Sequence, residues 1–346
     1  MKFKEIRCRG TPYDIGLAHG EAAKVEIERG LAFYAGLFWE ASKLQWPQVR
    51  ELARDFDGTI AARWPRYYEE MRGIAEGASR DILDIVALNV RSEIVFGQFS
   101  DGCTSAYCRG DAYSYMGQNW DWKKAQGANL IQLTILQSDI PAIKMITEAG
   151  IIGKIGLNAA GVGVCFNAIR AKGLDKTRLP VHLGLRLALE STSVEQALRR
   201  LQGVGMASSA HFLIGDVDTA VGLEFTSSTF AQVPVNDVGF IVHANHMLRA
   251  HQGIYEPEWL EDSPRRVDTM GRNILAAGVL SWGGFCALFE DETGWPCSIN
   301  RSAEGKSEFP TLFNICIDLG KRRAVVRGGR PTSGDSGLVL SFDAGG

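Results

Sequence analysis

Apolar positions recur at helical spacing through the first hundred residues. From Tyr13 to Gly30 the residues favour helix, and a glycine ends the run. Leu31 to Trp46 is apolar and aromatic with the same spacing. Trp64 and Pro65 open a further helix, because proline suits the first helical position, where no N–H is needed. Asp81 to Val95 places Ile82, Ile85, Val86 and Leu88 at helical intervals. The period changes at residue 101. Thr104 to Cys108 reads as a strand, Arg109 to Ala112 as a turn, and Tyr113 to Trp122 as the returning strand. Strands continue over Leu130–Leu136, Ile143–Thr147 and, after a turn at Asn158–Gly161, over Val162–Phe166. Helices are predicted over Pro180–Glu190 and Ser193–Leu201, with Ser193 and Gln196 at capping-box spacing. Strands return at Phe212–Ile214, Gly222–Phe225, Ile241–Ala244 and Leu312–Ile317. Ala250 to Pro264 is polar and proline-containing, and reads as a loop.

Helices, then strands, then two helices, then strands again describe an α+β chain with a mainly antiparallel sheet covered by helices. The chain has 346 residues, enough for one large core or two modest ones. Hydrophobic residues at 45% and charged residues at 22% are globular composition, so disorder is not expected. A net charge of -3 and no long basic run argue against nucleic acid. No apolar stretch reaches membrane-spanning length, and the N-terminus lacks a signal-peptide pattern. The final residues are not a peroxisomal tripeptide. A cytoplasmic address is therefore expected. The seven cysteines are scattered and odd in number, which suits reduced, mostly buried thiols better than a disulfide framework.

One dipeptide carries candidate chemistry. Gly102 has no Cβ, so the peptide before Cys103 can strain at low cost, and its carbonyl stays open to the adjacent thiol. Attack would move the acyl group from nitrogen to sulfur, and hydrolysis would free an α-amino group on Cys103. That amine, with a reference pKa of about 8 against about 8.5 for the thiol, can serve as base for its own side chain. Taken alone, Gly-Cys is a common pair, and a buried strand cysteine is the simpler reading.

Asp101-Gly-Cys-Thr-Ser-Ala-Tyr-Cys108 followed by Gly117-Gln-Asn-Trp-Asp-Trp122 resembles the fungal acyl-coenzyme A:isopenicillin N acyltransferases. The resemblance runs end to end, through Gly10–Gly16 with His19-Gly20, Arg63–Glu70, Ile146–Lys154, Leu189–Ser193, Gly222–Phe225, His243–His246 and Thr311–Asn314. It implies a four-layer αββα sandwich of the N-terminal-nucleophile hydrolase type, cut into a mostly helical fragment 1–102 and a fragment 103–346 that stay together as a heterodimer. By position it implies Cys103 as nucleophile and cleavage point with Gly102, Asp121 as the acid beside it, and Asn245 as an oxyanion donor. Thr226, Arg301, Ser307 and Glu308 fall at substrate-facing positions. The family reaction passes an acyl group from acyl-CoA to the amine of 6-aminopenicillanic acid or isopenicillin N. No metal or redox cofactor is implied. Two residues depart from the pattern: Thr226 replaces a serine, and Glu308 stands where a basic residue is expected. An acid there disfavours a carboxylate-bearing penam, so hydrolysis of another N-acyl amide is the alternative. An uncleaved, non-catalytic relative is the second.

Four other signals are weaker. Gly305-Lys306-Ser307 ends like a phosphate loop, but Asn300 stands where its first glycine belongs. His243 and His246 could bind metal, act as a base or be structural. Asn300-Arg-Ser302 is a glycosylation sequon. Trp120, Trp122, Phe166 and Phe212 fit an acyl pocket or plain core equally well.

Overall fold

Thr11 starts the first helix by a reciprocal cap. Its hydroxyl accepts from the Asp14 N–H at 3.2 Å, and the Asp14 carboxylate accepts from the Thr11 N–H at 3.0 Å. The computed structural model describes residues 2–94, 102–257, 260–305, 307–334 and 336–342; the expected helix end at Val95 lies outside them. The chain begins with β1 (Lys4–Arg9), then α1 (Pro12–Ala22), α2 (Lys24–Ser42), α3 (Trp46–Arg63), α4 (Pro65–Ala78), α5 (Ile82–Asn89) and α6 (Arg91–Ile94). The expected helix Tyr13–Gly30 thus breaks at Ala23, not at Gly30, which lies inside α2. Trp46 opens a helix instead of closing one, because Lys43 turns left-handed at φ 57 and Pro47 fits the start of the next helix.

Two sheets follow. β2 (Thr104–Gly110), β3 (Tyr113–Asp121), β11 (Phe240–His243), β12 (Thr311–Asp318), β13 (Arg323–Gly328) and β14 (Leu338–Ser341) form one, in the order β11-β2-β3-β12-β13-β14. The other holds β4 (Leu130–Leu136), β5 (Ile143–Glu148), β6 (Ile155–Asn158), β7 (Gly163–Ala168), β8 (Ala210–Gly215), β9 (Ala220–Phe225) and β10 (Phe230–Pro234), with β1 added at its edge beside β4. β1 pairs with β4 in parallel; the other ladders are antiparallel. The sheets pack face to face. α7 (Val181–Leu189) and α8 (Val194–Val204) cover the eight-stranded sheet, and α9 (Asp262–Ala277) and α10 (Trp282–Ala287) cover the six-stranded one. This is the expected αββα sandwich. At the start of α8 the capping box is split. Ser193 Oγ accepts from the Gln196 N–H at 3.1 Å, but the Gln196 side chain reaches back to the Thr192 N–H at 2.7 Å.

The polar stretch Ala250–Pro264 is only partly a loop, since α9 begins at Asp262. Buried polar contacts also pin residues 1–94 onto the sandwich. Arg91 pairs with Glu148 at 2.5 Å, and Arg186 with Glu70 at 2.8 Å. The Asn89 side chain donates to the Gly150 carbonyl at 2.8 Å and accepts from the Ile152 N–H at 3.0 Å. His19 accepts from the Gly150 N–H at 3.0 Å.

Candidate functional site

Side chains on a strand point to alternate faces. On β2, Ala106 and Cys108 join the smaller core under α9 and α10, while Tyr107 faces the larger core between the sheets. Ser105 Oγ likewise reaches across to Asn167 Oδ1 of β7 at 2.7 Å. Cys103, just before β2, falls on that inter-sheet side and is fully buried in the intact chain. Its Sγ contacts the Asp121 carbonyl oxygen at 3.9 Å. Trp120, Trp122, Phe166 and Phe212 belong to the same core as Cys103. The Trp120 indole N–H is buried with no partner. Phe212 sits deepest, fully buried edge-on to Phe225.

Asp121 ends β3, opposite Thr311 on β12. The Thr311 hydroxyl donates to Asp121 Oδ1 at 2.7 Å, and Arg301 Nε lies 3.9 Å from Oδ2. Arg301 donates from both Nη atoms to Asp262, each at 3.1 Å, and is buried. It lies between secondary-structure elements and does not face open solvent. Its guanidinium lies against Gly102 instead: a Cβ there would fall 2.4 Å from Arg301 Nε. A glycine is thus favoured before Cys103 by close approach.

Asn245 follows β11, and its backbone N–H donates to Ser263 Oγ at 2.7 Å. Its Oδ1 accepts from Arg266 Nη2 at 2.9 Å, and its Nδ2 donates to the Ala168 carbonyl at 3.1 Å. Arg266 also donates from Nη1 to the Cys103 carbonyl at 2.6 Å and to Thr104 Oγ1 at 2.9 Å. Its Nε bonds Asp262 at 2.7 Å. The fold therefore gathers Gly102, Cys103, Asp121, Asn245 and Arg301 into one buried group.

The profile of the family Acyl-coenzyme A:6-aminopenicillanic acid acyl-transferase matches residues 108–333. The acyl-coenzyme A:6-aminopenicillanic-acid-acyltransferase 40 kDa form of Emericella nidulans is 45% identical over 343 residues, covering 97% of this chain and 96% of its own. The chain belongs to this acyltransferase family. Among solved structures, the conjugated bile acid hydrolase of Clostridium perfringens matches with a TM-score of 0.50 at 13% identity, over 69% of this chain and 92% of its own. The penicillin V acylase of Agrobacterium tumefaciens gives 0.42 at 10% identity, over 69% and 86%.

The other acyltransferase-family positions make contacts of their own. Thr226 turns the chain between β9 and β10, where its hydroxyl accepts from the Ser228 and Thr229 N–H groups at 3.1 and 3.0 Å. Ser307 is buried, its hydroxyl without a hydrogen-bond partner among the described residues, and Glu308 is exposed, 3.9 Å from Lys123. Lys306 lies outside the described residues, and no helix follows Ser307 to make a phosphate loop. His243 is spent on Glu224 Oε1 at 2.8 Å and stacks on His211; His246 holds Ser263 Oγ at 2.7 Å. Burial, then the neighbouring His243, lowers the His246 pKa to about 4. Among the described residues no three His, Cys, Asp or Glu side chains cluster as for a metal. Asn300 is buried, donating to Thr332 Oγ1 at 3.0 Å, so the sequon is not exposed.

Asp262, Arg266 and Thr311 were not among the sequence candidates. Asp262 and Arg266 stand four apart, one helical turn, and that spacing is their signal. Reading their start as loop hid it.

Proposed function

We propose that this chain is a precursor that cuts itself between Gly102 and Cys103, and that Cys103 then carries the acyl group in transfer from acyl-CoA to the amine of 6-aminopenicillanic acid or a related acceptor. The observation that carries this is Cys103 itself: fully buried in the intact chain, preceded by a glycine packed under Arg301, and tied through Arg266 to Asn245. In the cut, the thiol adds to the Gly102 carbonyl. The C–S bond forms, the C–N bond breaks, and the thiol proton passes to the departing amine. Water then hydrolyses the thioester, leaving a Gly102 carboxylate and a Cys103 with free amine and thiol. In transfer, the Cys103 thiolate displaces the CoA thiolate from its acyl carbon. The acceptor amine next attacks the acyl-enzyme, forms the amide and returns the thiol. The Cys103 amine holds the proton between steps. Asp121 orients that ammonium group, and Asn245 donates to the oxyanion.

Fragments 1–102 and 103–346 stay paired, because Arg91–Glu148 and Arg186–Glu70 cross the cut and are buried. A denaturing gel tests the cut. Bands of about 11 and about 27 kDa should replace the 37.8 kDa chain, and Cys103→Ala should leave it whole. An uncut wild-type chain under all folding conditions would overturn the reading.

Glu308 favours a second reading, amide hydrolysis with a different acceptor or none. It places an exposed carboxylate, weakly paired with Lys123, where a penam carboxylate would want a cation. Turnover of phenylacetyl-CoA with and without 6-aminopenicillanic acid separates the two. Hydrolysis alone would rule out the transferase.

A further inference from the structure

Arg266 is a buried arginine that contacts both partners of the proposed chemistry without holding a place in it. A guanidinium only donates, so it fixes which atom of a neighbouring amide faces it. Asn245 turns Oδ1 to Arg266 Nη2 at 2.9 Å, and the Ala168 carbonyl, which only accepts, takes Nδ2 at 3.1 Å. Two neighbours on different elements thus impose the same amide orientation. Nη1 of the same guanidinium holds the Cys103 carbonyl at 2.6 Å and Thr104 Oγ1 at 2.9 Å. Planarity places the two Nη atoms in a rigid fork, so the Cys103 backbone and the Asn245 amide are held at a set separation. The fork is itself anchored, with Nε on Asp262 Oδ2 at 2.7 Å. Asp262 also takes both Nη atoms of Arg301, whose Nε faces Asp121. One carboxylate therefore braces both arginines of the site.

We propose that Arg266, anchored by Asp262, is a positioning residue that locks the Asn245 side chain with its amide nitrogen toward the acyl carbon on Cys103. This deepens the reading above and rests on its assignment of Cys103 and Asn245. Without Arg266 only the Ala168 carbonyl holds the amide, so Oδ1 is free to swing toward the oxyanion, which it repels. A lysine can keep one bond but cannot bridge the Cys103 carbonyl and the Asn245 oxygen together.

The test uses the cleaved enzyme, with rates normalised to the cleaved fraction on a gel. Release of CoA from phenylacetyl-CoA is followed for Arg266→Gln, Asn245→Ala and the double variant, and Cys103 alkylation by iodoacetamide is timed in each. Alkylation has no oxyanion, so it reports the thiol and not Asn245. The expected result is a fall in kcat of about 10²-fold for Arg266→Gln, the scale of one lost oxyanion donor, with KM and alkylation rate held. The double variant should be no slower than Asn245→Ala, since both act through one amide. Independent, multiplied losses would overturn the proposal, as would Arg266→Gln within threefold of wild type. If Arg266→Gln is recovered only as aggregate, Arg266→Lys decides on the same ratios. Failure of the parent reading looks different: Asn245→Ala would then keep full activity, or Cys103→Ala would still turn over.

Discussion

A single methyl group at residue 102 meets a wall that cannot easily move. Arg301 is held by both Nη atoms on Asp262, so a Cβ 2.4 Å from its Nε has no cheap relief. Gly102→Ala should lose about 1–3 kcal/mol in chemical denaturation, the ordinary cost of overpacking. It should also slow the appearance of the cleaved bands. Cys103, Asp121 and Asn245 could be nominated from the sequence, because each sits in a short motif that resembles the family's. Arg266 could not. Its value comes from four partners at positions 103, 104, 245 and 262, and only Asp262, one helical turn away, is linked to it by a local pattern.

Between elements, α1 and α4 lie backbone to backbone. A Cβ on Gly20 would fall 2.3 Å from the Ile74 carbonyl oxygen, and one on Gly73 2.3 Å from the Tyr13 carbonyl oxygen. Gly16 and Gly77 complete the crossing at 1.9 and 2.4 Å. Backbone cannot step aside as a side chain can, so Gly20→Ala or Gly73→Ala should cost at least the upper part of the usual range of about 1–3 kcal/mol. Gly58, in the middle of α3, has nothing within 4 Å of its Cβ position. Gly58→Ala should instead stabilise by about 0.5–1 kcal/mol, because only helix propensity changes. Urea melts of the three variants check the contrast. Helix existence could be read from apolar spacing, but not the close approach, which depends on which two helices meet.

Across the whole molecule, the helical segment and the sandwich are joined by buried charge. Burial alone would raise the Glu148 pKa, but Arg91 and then Lys154 pull it down to about 2. Glu148→Gln leaves two buried cations without their anion and should cost about 3–5 kcal/mol. In the cleaved protein it should lower the urea concentration at which the fragments separate on size exclusion. Acid acts through the histidines. Burial, then Arg186, lowers His19 to about 4, and His246 is at about 4 as well. Both bind protons more weakly folded than unfolded. Their stabilisation is full above the unfolded value of about 6.5 and is lost as pH falls from there toward 4. Thermal melts from pH 7 to pH 4 should show Tm falling through that window.

The sequence by itself determined the α+β class and the main run of helices followed by strands, which depend on spacing along the chain, and its motifs carried the family resemblance. It missed β1, α3 and the start of α9, where charged or polar residues sit among few apolar ones, and also the short elements β6, β10, β13, β14 and α10. Only the tertiary structure decided that Asp262 braces Arg266 and Arg301, that the Thr226 hydroxyl caps the turn between β9 and β10, and that His243 is spent on Glu224. Those facts depend on which distant side chains a sandwich brings within hydrogen-bond reach, and hydrogen bonds act over about 3 Å, a distance that sequence spacing does not encode.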